Sequence, residues 1–208
     1  QSSKTETVCL AAAAQKNIIE HHIHLLGKVG IQPSFITFDT LALYNLNQLI
    51  GGSVKTYAII DLGYQKSSIC VIADGKLALT RTFYTGGRDI DEAIRNDMNL
   101  TLEQAAEVKE KHGVLELDNQ PLKSGDLQRL STSIKSVINP LFQEIYQSMH
   151  LFRSQDWIPE ESQRIEHVLF SGGTSLLRNL PEYFTQLINI PAQRLHLLED
   201  QDPERPSR

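Results

Sequence analysis

The sequence has 208 residues, 40% of them apolar, which is enough for a core in one large domain or two small ones and argues against a disordered chain. A formal charge of −5 and a pI near 5.8, with no opposing run of Lys or Arg, argue against nucleic acid as a partner. No segment reaches the roughly 20 uninterrupted apolar residues of a transmembrane helix, and the opening QSSKTETV lacks the charged and apolar regions of a signal peptide.

The first block reads as strand (ETVCLAAAA), helix (QKNIIEHHIHLLGKVG) and strand (PSFITFD), with Pro33 blocking continuation of the helix. Ile19, Ile23 and Leu26 recur at helical spacing, with Ile18, His22 and Val29 on the same side, which predicts one buried helix face. The first residue is not Met and a strand follows almost at once, so a piece of a longer chain is expected. TLALYNLNQLI reads as a second helix, and Gly51-Gly52-Ser53 as a flexible joint that places a domain boundary.

From Thr56 the pattern changes to three strands, YAIIDLG, SSICVIADG and LALTRTFYTG, the second and third joined at Asp74-Gly75 in a hairpin-like turn. Helices follow over Asp89–Met98 and Leu102–His112, the latter opened by a Thr101/Gln104 capping box and closed by Gly113. A long apolar-periodic stretch from about Asp126 to Ser154 predicts a core helix bent at Pro140. The last unit is strand IEHVLF, loop SGGTS, a helix over Pro181–Ile188, a short strand RLHLL, and a polar tail expected to be disordered. Cys9 and Cys70 lie inside apolar runs, where a buried reduced thiol is the ordinary reading and fits a reducing compartment.

Three Gly-containing turns concentrate the possible chemistry. DLGYQKSS sets Asp61 at the end of an apolar strand before Gly63 and Ser67; backbone N–H groups there can hold a phosphate while the carboxylate orients Mg²⁺, although Asp-x-Gly is also ordinary turn chemistry. Gly86-Gly87 and Gly172-Gly173 each stand between a strand and a helix, where backbone can approach a ligand and free N–H groups face outward. Three such turns in this order predict a shared cleft. His21 and His24 have the spacing to share a metal but lack a third ligand, and neither cysteine nor any serine has the surroundings of a nucleophile.

In their order, IIDLGYQKSS, GGRDIDEAI, LTLEQAAEVKEKHG and VLFSGGTSLLRNLPEYFTQLINIP resemble the second half of an actin-like ATPase. The match is to the type IV pilus assembly PilM family, relatives of the FtsA-like proteins, and AAAAQKNIIEHHIHLLGKVGIQPSFITFDTLALYN is similar to the end of that family's inserted subdomain. The resemblance implies an α/β actin-like (ribonuclease-H-like) half, residues 53–198 with a helical addition, preceded by the end of a small α/β subdomain and its returning helix, residues 1–52, and followed by a tail, 199–208. It places Asp61, Gly63 and Ser67 in a phosphate-binding hairpin, with Asp61 as metal ligand, and Ser171, Gly172, Gly173 and Thr174 in an adenosine-contacting loop. Gly86 and Gly87 would close the cleft.

The family's acidic-x-x-Lys pair, which reaches the nucleotide's ribose or base, aligns with Ala106 and Lys109, so the resemblance implies Lys109 as a nucleotide contact, while Glu107 is one residue, about 100 degrees of helix, away from taking the acid's place. Tyr64 crowds the hairpin, Lys66 attracts a phosphate, and the first phosphate hairpin of the fold lies outside this sequence. The resemblance therefore implies ATP or ADP with Mg²⁺ as a weakly held cofactor and at most a weak ATPase activity. The implied role is a cytoplasmic scaffold at the bacterial inner membrane that captures the cytoplasmic tail of a single-pass membrane protein and meets other pilus or secretion platform proteins. Three alternatives remain at this point: the cytoplasmic actin-like domain of a type II secretion membrane protein, an active filament-forming ATPase of FtsA type, and a sugar kinase.

Overall fold

The computed structural model describes residues 13–50 and 56–195. The expected first strand and Cys9, the joint at Gly51–Ser53, and the tail all lie outside the described residues. The chain divides into two compact units between Phe38 and Asp39.

In the first unit, helix α1 spans Lys16–Lys28. The predicted buried face is not found: no α1 residue is buried, and Ile18, Ile23 and Val29 are exposed. Residues 33–38 form no strand, contrary to the sequence pattern. A strand exists only by pairing; Pro33 offers no donor, and none of the described strands pairs with this segment.

The second unit opens with α2 (Asp39–Ile50) and continues with β1 (Thr56–Leu62), β2 (Ser67–Ala73) and β3 (Lys76–Phe83), then α3 (Gly87–Met98), α4 (Leu102–His112) and α5 (Gly125–Arg153). It ends with β4 (His167–Ser171), a 3-10 turn over Gly173–Leu176, α6 (Leu180–Ile188) and β5 (Ala192–Arg194). β5 meets the expected RLHLL at Arg194, and residues 196–198 of that stretch lie outside the described residues. The strands form one sheet in the order β3-β2-β1-β4-β5, with β1, β2 and β3 antiparallel and β1, β4 and β5 parallel. Asp74 and Gly75 both take positive φ, 48° and 72°, as a tight two-residue hairpin turn requires.

The central strands β1, β2 and β4 are apolar along most of their length because both faces of the sheet are covered there, whereas β3 is largely exposed or half-buried. With side chains alternating at period two, Ala58, Ile60, Leu62, Ile69, Val71, Val168 and Phe170 enter a core against α3, α5 and α6. Tyr57, Ile59, Cys70, Ile72 and Leu169 point to the opposite face, where Leu43 and Tyr44 of α2 pack. At the centre of the larger core, Phe142, Phe170 and Phe184 make edge and tilted contacts with centroids 4.9 to 6.0 Å apart. Helix α5 runs through Pro140 without interruption, and the capping box at α4 forms as its sequence predicts, with Thr101 and Gln104 exchanging backbone-to-side-chain hydrogen bonds of 2.9 and 3.2 Å.

Candidate functional site

The central parallel pairing sets the site. Because β1 and β4 run side by side with Asp61 opposite Ser171, the hairpin after β1 and the Gly172-Gly173 loop after β4 leave the same end of the sheet. Gly172 makes that approach possible: its φ is +84°, and an added Cβ would lie 2.7 Å from the Leu62 carbonyl carbon and 2.8 Å from an Asp61 carboxylate oxygen. Gly86 has a comparable reason, since a Cβ there would meet the Tyr64 and Gly63 carbonyl oxygens at 2.5 and 2.7 Å.

Strand alternation divides the residues around this sheet end into two groups. On the α2 side, Asp61 is partly exposed; burial pushes its carboxyl above the ordinary value, with the Ser171 hydroxyl pulling it back. Asp39, the first residue of α2, pairs with Lys66 of the hairpin (Nζ to Oδ2, 2.5 Å), which lowers the Asp39 carboxyl. A divalent cation at Asp61 would find one open carboxylate and one hydroxyl, with a lysine ammonium beside them and the second carboxylate already engaged. That donor set suits Mg²⁺ poorly.

On the α3 side, Gly63, Gly87, Lys109 and Thr174 converge. Thr174 donates its hydroxyl to the Gly63 carbonyl at 3.1 Å. Lys109 reaches from α4 to donate to the Gly87 carbonyl at 2.9 Å, to pair with Asp91 at 2.7 Å, and to lie 5.6 Å from the centre of the Tyr64 ring. Asp91 is fully buried; burial raises its carboxyl while Lys109 lowers it. The acidic partner of Lys109 is Asp91 of α3, and Glu107 pairs with Lys111 on the exposed face. Sequence spacing missed Asp91 because its partner lies on a different helix. The one available signal was an acidic residue at an otherwise apolar position, between Ile90 and Ile94.

Several expected donors are occupied within the chain. Ser67 is buried and donates its hydroxyl to the Thr85 carbonyl at 2.7 Å. The amides of Gly87 and Arg88 donate to the Gly63 and Tyr64 carbonyls at 2.9 and 2.8 Å, and that of Gly86 to Asp89. The start of α3 is thereby fastened to the hairpin, and those N–H groups do not face outward. The other part of the site is open: a cleft of about 520 Å³ runs along Tyr64, Lys109, Gly113, Thr174 and Leu177, with Gly173 at its edge. A Cβ built on Gly173 would meet nothing within 4 Å. The first amides of the 3-10 turn at Gly173 and Thr174 have no acceptor inside that turn. Arg194 of β5 holds the turn from behind, donating to the carbonyls of Ser175, Leu176 and Leu177 at 2.9 to 3.2 Å.

Among the described residues, no three His, Cys, Asp or Glu side chains cluster as a metal site, and no helix is long and apolar enough to cross a membrane.

The same fold occurs in solved structures. A PilM-PilN type IV pilus biogenesis complex aligns with a TM-score of 0.71 at 24% identity, over 88% of this chain and 48% of that one. The MreB5 protein of Spiroplasma citri bound to AMPPNP gives 0.65 at 15% identity, over 88% and 61%. The ethanolamine utilization protein EutJ of Carboxydothermus hydrogenoformans gives 0.61 at 16%, over 84% and 55%. The fold is actin-like, and the chain spans about half the length of the PilM chain it matches. The family model described as type IV pilus assembly protein PilM matches residues 1–202, and the chain belongs to that family.

Proposed function

We propose that this chain serves type IV pilus assembly as a scaffold at the cytoplasmic face of the bacterial inner membrane, holding the cytoplasmic tail of a single-pass membrane protein. ATP or ADP is a weak ligand of its cleft. The observation that carries the reading is the unequal state of the two parts of the site. The base side is an open groove with an aromatic ring, aliphatic side chains and a bare glycine. On the phosphate side, Ser67, Gly87, Arg88, Lys66 and Lys109 are committed to acceptors of the chain itself. A nucleotide entering there has to displace those bonds, and each exchange returns little net free energy. The arrangement favours weak occupancy over turnover. The solved relative in complex with PilN supports a membrane-protein tail as the partner.

Fluorescence anisotropy with labelled peptides, taken from the cytoplasmic tails of the single-pass proteins of the same pilus machine, tests the scaffold reading. Saturable binding that persists without nucleotide and in Gly173→Val is the expected result. Binding that appears only with ATP, or no saturable binding to any tail, contradicts it.

A further inference from the structure

Side chains from three elements close the inner end of the cleft. Among the described residues of the β1–β2 turn, Tyr64 lines the cleft, whereas Gly63, Lys66 and Ser67 do not. The Tyr64 ring, the Lys109 ammonium from α4 and the Thr174 hydroxyl from the loop after β4 converge on Gly87, where an added Cβ would stand 3.5, 3.1 and 2.7 Å from them. A methyl group does not fit at that point, and a phosphate is larger. A lysine ammonium carries three donors. That of Lys109 gives one to Asp91 and one to the Gly87 carbonyl, and its remaining side faces the Tyr64 ring, 5.6 Å from the ring centre. The ring therefore covers the donor that an entering phosphate would meet. Lys109 and Thr174 are nearly buried, but Tyr64 is 52% exposed, so its ring is the outer wall of the closure. The other cations of the lining, Lys111 and Arg178, are exposed at the rim, engaged with Glu107 and the His112 carbonyl, where water and salt screen them.

We propose that Tyr64 sets the specificity of the cleft: by capping the third donor of Lys109 and closing the way to the hairpin, it confines the site to the nucleoside end of a nucleotide, so that added phosphates contribute no affinity. The inference rests on the nucleotide reading of the cleft and deepens it. The open part, about 520 Å³, falls in the size range of small-ligand pockets, and Leu176, Leu177 and the bare Gly173 offer a flat ring an apolar wall. The Tyr64 backbone is fixed where it stands, because its carbonyl accepts the Arg88 amide at 2.8 Å. Opening the closure therefore requires the side chain to turn away or to be removed.

The test is an NMR titration of the chain with adenosine, AMP and ADP in one Mg²⁺ buffer, reading the backbone amides of residues 64, 109–113 and 173–177. In the wild type, ADP is expected to bind no more than about threefold tighter than adenosine. In Tyr64→Ala, where the third donor of Lys109 is uncovered, ADP is expected to bind more than about threefold tighter than adenosine, and Tyr64→Phe, which keeps the ring, is expected to behave as wild type. The ratio of the two affinities is the readout, because a merely structural loss weakens every ligand alike. A wild type that favours ADP by more than about threefold, or a Tyr64→Ala protein whose ratio is that of the wild type, overturns the inference and leaves the nucleotide reading standing. If none of the three ligands moves an amide of the wild type, the nucleotide reading fails and the inference with it. Because Tyr64 is half exposed, both variants are expected to melt close to the wild type; should Tyr64→Ala not fold, the wild-type comparison decides by itself.

Discussion

Replacing Lys109 by Met removes the ammonium that faces Asp91 while keeping most of the aliphatic stem. The carboxylate left behind is fully buried, its partner only 11% exposed, and one of its oxygens already lacks a hydrogen bond. Breaking a buried pair by removing one partner costs about 3–5 kcal/mol, because the remaining charge is uncompensated. In a domain of this size that corresponds to a fall in Tm of roughly 6–20 °C. The pH dependence has a definite sign. Burial already holds Asp91 above its ordinary value of 3.8, and Lys109 is the influence that lowers it. A carboxyl raised in the folded state stabilises fully below its unfolded value and loses that contribution as pH rises through the folded value. Without Lys109 the folded value rises further, so the Lys109→Met penalty is smallest near pH 4 and grows toward neutrality. Urea unfolding at pH 4.5 and 7, on the wild type, Lys109→Met and Asp91→Asn/Lys109→Met, measures this, and the double variant is expected to regain most of the loss at pH 7. A Lys109→Met penalty below about 1 kcal/mol, or one that does not change with pH, refutes the reasoning.

Gly172→Ala forces a Cβ onto a backbone at φ +84° and against β1, so thermal melts are expected to show a loss of about 1–3 kcal/mol; an unchanged Tm would show that the loop is free to move away. Ser67→Ala leaves the Thr85 carbonyl without its hydroxyl donor, and a loss of about 1–3 kcal/mol in urea unfolding is expected. Burial pushes the Cys70 thiol up to about 12, so in a Cys9→Ser background an aromatic disulfide reagent at pH 8 is expected to label the protein only after unfolding; prompt labelling of the native protein contradicts the packing of the sheet face beneath α2.

The strands and the order of the second unit were legible because both sheet faces are buried, so that apolar runs such as YAII and ICVIA are bounded by Gly turns that only a few backbone shapes satisfy. The Gly172-Gly173 loop was legible for the same reason: a bare backbone is required where the loop after β4 passes the end of β1. What the pattern could not supply was the use of polar groups across long separations. Ser67 reads as a phosphate donor from its place after Gly63, yet its hydroxyl turns to Thr85, 18 residues away. Lys109 keeps its place in the acidic-x-x-Lys spacing, but its acid comes from α3. Asp39 reads as the end of a strand and is the start of α2, poised against Lys66. The segment before it failed as a strand because strand propensity has no meaning without a neighbour to pair with.

The central claim, a scaffold whose phosphate side is satisfied by its own chain, is tested most directly by thermal melts with about 1 mM ATP and Mg²⁺. The account predicts a Tm shift below about 2 °C, as expected for affinity no better than millimolar, and no release of inorganic phosphate above background. A shift above about 5 °C that Gly173→Val abolishes, accompanied by phosphate release, would contradict it and make the chain part of an ATP-driven switch.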